Sequence, residues 1–236
     1  MPRFALPRSL SAAALLAACA WLISSPALAD DSAAAAAAES SLPVDALAQR
    51  LQIGDLVFIR VPARPFREVA AATGSWTNHV GIVVGVEDDG EALIAESTFP
   101  LSRTTRLSRF VARSEGERAA VARLASEPTD AQRKAIVEAA RKRAGIFYDT
   151  GFNLHSRRQF CSRYVREVLQ EATGTAVGEV ETFAQLLSRR PDTDLGFWKV
   201  WYFGSIPWQR ETVTPASVLT SAQLRTVFDG VVTRHQ

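Results

Sequence analysis

The chain has 236 residues, 47% of them hydrophobic and 22% charged, an ordinary globular composition sufficient for one compact domain. Its formal net charge of +2 is matched by two arginines near the start, Arg3 and Arg8, so the remainder is balanced and carries no electrostatic footprint for nucleic acid. Met1 is the one methionine, which excludes a methionine-rich adaptive surface.

In chain order, the first signal is a leader. Arg3 and Arg8 form a basic n-region and Leu10 to Ile23 an apolar h-region. Pro26 breaks the run, and Ala27-Leu28-Ala29 before Asp30 fits a small-x-small cleavage site. Residues 1–29 therefore read as a signal peptide, with export to a bacterial periplasm or cell envelope expected. The apolar run is too short and wrongly flanked to be a stable transmembrane anchor, and no later span is long enough to cross a bilayer. Leu16-Ala17-Ala18-Cys19 also reads as a lipoprotein box with Cys19 as the lipidated residue. Against it, the apolar run continues through Trp21, Leu22 and Ile23, which favours cleavage after Ala29 and leaves a lipid anchor as the alternative. Residues 30–42 are alanine-rich and read as a linker, so the folded domain is expected to be 43–236.

Val44 to Leu51 reads as a short helix, and Leu56-Val57-Phe58-Ile59, after Gly54-Asp55, as a short apolar strand. Pro62 to Trp76 reads as a loop with room for a short helix. His79 to Val86 is predicted to be a buried strand, Asp88-Asp89-Gly90 a hairpin turn, and Ala92 to Glu96 the return strand. Thr105 to Val111 reads as a short helix and Ala119 to Leu124 as a strand. Thr129 to Arg143 is predicted helical, with Pro128 before a Thr129 cap and Gly145 as the stop. Phe160 to Thr173 is a second helix, stopped by Gly174, with Phe160, Tyr164, Val165, Val168 and Leu169 on one apolar stripe. Clustered strands with separate helices before and after predict an α+β domain, an antiparallel sheet packed against helices. The tail after Gly174 carries no motif that can be placed.

Beyond the leader the chain has a single cysteine, Cys161, at the predicted start of a helix. There the positive end of the helix dipole favours the thiolate. With no second mature cysteine it cannot form an intramolecular disulfide. A cysteine nucleophile needs a base, and the base an orienting partner. The chain has three histidines. His235 is penultimate and His155 lies in a polar loop. His79 opens the buried strand, with glycine two residues on. Across the hairpin lies Glu96, the one charge ending the apolar run Ala92 to Ala95 and placed to hold one imidazole nitrogen. Each residue also has a plainer reading. Free cysteines usually only pack, His79 alone reads as a satisfied strand-end histidine, and Glu96 alone as a solvated strand end. Sequence does not show that they meet. Zinc-type Cys or His spacing and a glycine-rich phosphate loop are absent, so no metal or cofactor is expected.

Four short segments together, Gly54-Asp55-Leu56-Val57-Phe58, Asn78-His79-Val80-Gly81-Ile82-Val83, Ala95-Glu96 and Phe160-Cys161-Ser162-Arg163-Tyr164-Val165, resemble the YiiX/YaeF-type family. These are permuted papain-like amidases of the NlpC/P60 superfamily, in which the histidine strand precedes the cysteine helix. The resemblance spans roughly Leu51 to Gly174 and implies a permuted papain-like fold. It implies Cys161 as nucleophile, His79 as general base and Glu96 as the residue that orients it. It also implies Tyr148, in a segment like the tyrosine-bearing one of NlpC/P60 proteins, as a substrate or oxyanion contact. The chain differs in having Asn78 where the relatives have serine. The reaction implied is acyl transfer through a thioester, with the Cys161 backbone N–H in the oxyanion hole.

The expected partners are substrates only. Export would place the chain beside peptidoglycan, favouring a cell-wall stem peptide. The aromatic run Phe197-Trp198-Lys199-Val200-Trp201-Tyr202-Phe203, followed by Ile206-Pro207-Trp208, reads as core packing or a lid. A sharper reading makes it an apolar groove and supports a lipid amide or ester hydrolase or acyltransferase. An exported binding module without catalysis is the third reading.

Overall fold

The computed structural model describes residues 41–233. The leader, the linker as far as residue 40, and His235 lie outside the described residues. Ser41 and Leu42, assigned from sequence to the linker, instead open strand β1 (Ser41–Pro43), so the domain starts no later than Ser41.

Helix α1 (Val44–Ala48) follows, shorter than expected, then β2 (Leu56–Ile59). The segment Pro62 to Trp76, read as a loop with room for a short helix, holds the ten-residue helix α2 (Arg64–Thr73). Its first turn carries proline and its C-cap is Gly74 in the left-handed region, a pairing that the sequence displays. The hairpin β3 (His79–Val86) and β4 (Ala92–Glu96) forms with the expected bounds. The helix expected from Thr105 begins only at α3 (Leu107–Val111), because Arg103–Arg106 pairs with β4 as β5. Strand β6 (Arg118–Leu124) and helix α4 (Asp130–Lys142) come next, and Thr129 closes a full capping box with Gln132. Helix α5 (Cys161–Thr173) takes Phe160 as its N-cap and ends at Gly174, whose φ is 77°. The tail that carried no motif is structured: β7 (Val180–Thr182), α6 (Phe183–Ser188), α7 (Leu195–Trp201), β8 (Glu211–Val213), α8 (Pro215–Leu219) and β9 (Leu224–Thr233).

Seven strands form the main sheet in the order β1-β9-β6-β2-β3-β4-β5, and every neighbouring pair is antiparallel except β1 with β9. Both faces are covered. On one, Leu56, Phe58, Val80 and Ile82 pack with Ile136 of α4 and with Tyr164, Val165, Val168 and Leu169 of α5. On the other, Val57, Ile59, Val83 and Ile94 pack with Leu47 of α1 and with Leu107, Phe110 and Val111 of α3. Two-sided burial explains why β2 and β3 read as continuous apolar runs rather than alternating ones. Each large side chain buried this way contributes roughly 1.5–3 kcal/mol. The Tyr164 hydroxyl donates to the Ala140 carbonyl at 3.0 Å and ties α5 to α4. A smaller apolar cluster, Ala72, Phe183, Trp198 and Ile206, joins α2 to the structured tail.

Candidate active site

His79 is the first residue of β3, paired with Ile59 at the end of β2. Ile82 pairs with Ala95, and one further step of that register sets Gly81 opposite Glu96. Side chains two residues apart share a face, so Glu96 and His79 lie on the same side at the sheet's end. Gly81 is required there. A Cβ on it would stand 2.5 Å from Ile94 Cγ2 and 3.0 Å from Phe110 Cε2. Without that Cβ, the Phe110 ring comes in beside the imidazole, with ring centroids 5.6 Å apart. Phe66 of α2 meets the imidazole edge-on at 5.9 Å.

His79 Nε2 and Glu96 Oε2 are 2.7 Å apart, and Glu96 is fully buried. The same Oε2 accepts from Arg113 Nη2 at 2.7 Å, while Oε1 accepts from Thr105 Oγ1 at 2.7 Å. Burial alone would raise the Glu96 pKa. Hydrogen bonding and charge from His79, then from Arg113, outweigh it and bring the value down to about 2.

Cys161 begins α5 and is buried as a free thiol. The segment before it is fixed by backbone pairing. Gln159 N–H donates to the Phe147 carbonyl at 3.0 Å, and Asp149 N–H to the Gln159 carbonyl at 2.7 Å. This ladder carries Tyr148 past the sulfur. Burial pushes the Cys161 pKa up, but the charge and hydrogen bonding of His79, and the backbone N–H groups of Val80 and Ser162, bring it below the usual thiol value. Conversely, burial works against the His79 imidazolium, yet the charge of Cys161, with Glu96 behind it, raises its pKa to about 9. Both shifts favour the imidazolium–thiolate form of the pair. His79 Nδ1 makes no hydrogen bond of full geometry, and close-range charge together with a weak side-chain hydrogen bond couples it to the sulfur.

Tyr148 is buried and its hydroxyl has no hydrogen-bond partner. Burial first, and then the neighbouring Cys161 charge, hold its pKa well above the usual phenol range, so it stays protonated as a donor. Asn78, one step before His79, is held by a neighbouring backbone. Its side chain pairs with the Val61 backbone, accepting at 2.8 Å and donating at 3.0 Å, and so locks the approach to His79. His155 is exposed and lies 2.7 Å from Glu211, in a separate surface pair.

The structure therefore gathers His79, Glu96, Cys161 and Tyr148 at one end of the sheet. Sequence reasoning missed Arg113 and Thr105. Thr105 is recoverable in hindsight from the alternation of β5 against β4, whereas nothing local marks Arg113.

On its far side Cys161 borders an apolar cavity of about 50 Å³. Phe66, Val69, Phe152, Trp198, Tyr202 and Ile206 are among its walls, and no charged side chain lines it.

A thiol at a helix start, packed on a sheet whose histidine strand comes earlier in the chain, is the permuted papain-like arrangement. The chain belongs to the permuted papain-like amidase family YaeF/YiiX, C92, whose match covers residues 50–228. It is 27% identical over 184 residues to the uncharacterized protein YiiX of Escherichia coli strain K12, covering 78% of this chain and 89% of that one. A solved structure described as metalloprotein yiiX from Escherichia coli O157:H7 superposes with a TM-score of 0.67 at 25% identity, covering 77% of this chain and 99% of that one. Among the described residues no group of three or more His, Cys, Asp or Glu is placed to hold a metal ion. Among the same residues no helix is long and apolar enough to cross a membrane.

Proposed function

We propose that this chain is an exported cysteine hydrolase that cleaves an amide or ester through a thioester on Cys161, with an apolar acyl group seated in the cavity beside the sulfur. Family membership supports a cysteine hydrolase. The cavity carries the substrate reading, because its walls offer dispersion contacts and no counter-charge. In the reaction, Sγ attacks the acyl carbon while the developing oxyanion is met by the Cys161 backbone N–H and the Tyr148 hydroxyl. The carbon–nitrogen or carbon–oxygen bond breaks and His79 gives its proton to the leaving group. Neutral His79 then takes a proton from water, whose oxygen adds to the acyl carbon, and the carbon–sulfur bond breaks to release the acid. General acid–base help of this kind supplies about 10²–10⁴-fold. Export rests on the leader at 1–29 alone.

A cell-wall stem peptide is the second reading. Its support is the leader, which would put peptidoglycan within reach. Such a peptide is rich in carboxylates, for which the cavity provides no cation.

Two measurements test this. Iodoacetamide should alkylate Cys161 rapidly at neutral pH, and the rate should collapse in His79→Ala. A wild-type rate equal to that of free cysteine ends the hydrolase reading. Across a series of N-acyl amides, kcat/KM should rise about fourfold per added CH2 until the cavity is filled, the equivalent of ~0.8 kcal/mol each. A flat series, with turnover of peptidoglycan fragments, transfers the assignment to the cell wall.

A further inference from the structure

Glu96 is fully buried and holds two cations on one oxygen: His79 Nε2 and Arg113 Nη2 each lie 2.7 Å from Oε2. Thr105 Oγ1 donates to the other oxygen at 2.7 Å, and Arg103 Nε stands 3.9 Å from it. The cycle proposed above requires His79 to lose its charge when water is activated. A buried carboxylate whose only cation disappears is strongly disfavoured and takes up a proton instead. A guanidinium, unlike an imidazole, is a permanent cation. That of Arg113 is fixed in place by stacking 4.9 Å from the Phe110 ring centroid and by Nη1 reaching Thr98 Oγ1 at 3.5 Å.

We propose that Arg113 is a positioning residue that keeps Glu96 ionised while His79 is neutral, so that each turnover can pass through an uncharged imidazole. This rests on the reading of Cys161 and His79 as nucleophile and base. The groups facing the His79–Glu96 pair are Cys161 and Tyr164 of α5, Tyr148 of the loop before it, Arg103 and Thr105 of β5, and Arg113 after α3. Arg103 is half exposed and lies farther from the carboxylate, so it is the weaker cation. His79 and Glu96 share one dissociable proton. Its loss leaves neutral imidazole beside the carboxylate, wherever the proton sat before. Removing Arg113 must therefore raise the pH at which that proton leaves.

The test uses the full chain as Cys161→Ser, which removes the thiolate charge as acylation would, with isotope-labelled histidine. The chain has three histidines, so their NMR titrations are separable. In Arg113→Gln the apparent pKa of the His79–Glu96 pair should rise by about 1–3 units, and in Arg113→Lys by less. His155 should titrate as before. An unchanged or lowered value in folded Arg113→Gln overturns the proposal. Should that variant fail to fold, the absence of any rise in Arg113→Lys overturns it. Loss of the hydrolase reading would show separately, as ordinary thiol reactivity in the otherwise wild-type chain.

Discussion

The two sides of Cys161 are built on opposite principles. Toward His79 the surroundings are charged, buried and hydrogen-bonded: a carboxylate, an imidazole, a guanidinium and a threonine converge within a few side chains. Toward Trp198 and Ile206 the surroundings are apolar and partly empty. His79, Glu96 and Thr105 are carried by adjacent strands of one sheet, and Arg113 joins them from the segment after α3. The apolar side is assembled from α2, the segment before α5 and the tail beyond Gly174, which are remote in sequence. Exact geometry is supplied where protons move, and adaptable volume where a chain must fit.

This contrast can be broken from either side. The largest effect is expected on the charged side. Glu96→Gln leaves His79 and Arg113 beside a neutral amide, and removing one member of a buried charge network typically costs about 3–5 kcal/mol. Chemical denaturation should show a loss of that order, and the alkylation rate of Cys161 should fall with it. A loss no greater than that of a surface substitution would mean that the network is not closed in solution.

On the apolar side, Val69→Trp places a larger side chain into the cavity from α2. It should lower kcat/KM for long acyl amides by roughly tenfold, about the equivalent of losing one to two buried CH2 groups, and spare the shortest ones. Iodoacetamide reactivity should not move, because the charged side is untouched. Equal loss for all chain lengths would show that the cavity does not receive the acyl group.

The smallest effect is in pH dependence. Glu96 has a folded-state pKa of about 2 against an ordinary 4.5, so its stabilisation is present above 4.5 and is lost as pH falls through about 2. His79, raised from 6.5 to about 9, stabilises fully below 6.5 and loses that contribution as pH rises through about 9. At the alkaline end the lowered thiol of Cys161 titrates in the opposite sense, so the acid limb is the clean one. The melting temperature of the wild type should therefore fall more steeply below pH 4.5 than that of Glu96→Gln. Parallel acid limbs would remove Glu96 as the titrating group.

Local chemistry was enough to place much of this molecule. Apolar runs ended by Gly54-Asp55 and Asp88-Asp89-Gly90 specified β2, β3 and β4, because a strand buried on both faces leaves a run that no surface element shares. Thr129 and Gly174 marked the limits of α4 and α5 through cap chemistry that acts over three or four residues. Cys161, His79, Glu96 and Tyr148 could be named because each stands at the edge of such an element or in a motif that resembles known relatives. The helix α2 is longer than the short one for which the loop reading of Pro62 to Trp76 leaves room. What no local pattern contains is the pairing of distant segments. Strand β9 finds its place between β1 and β6, Arg113 reaches back 17 residues to Glu96, and Trp198 and Ile206 close on a thiol far upstream. Such contacts depend on loop closure and on how layers stack, energies that belong to the whole chain and to no window of it.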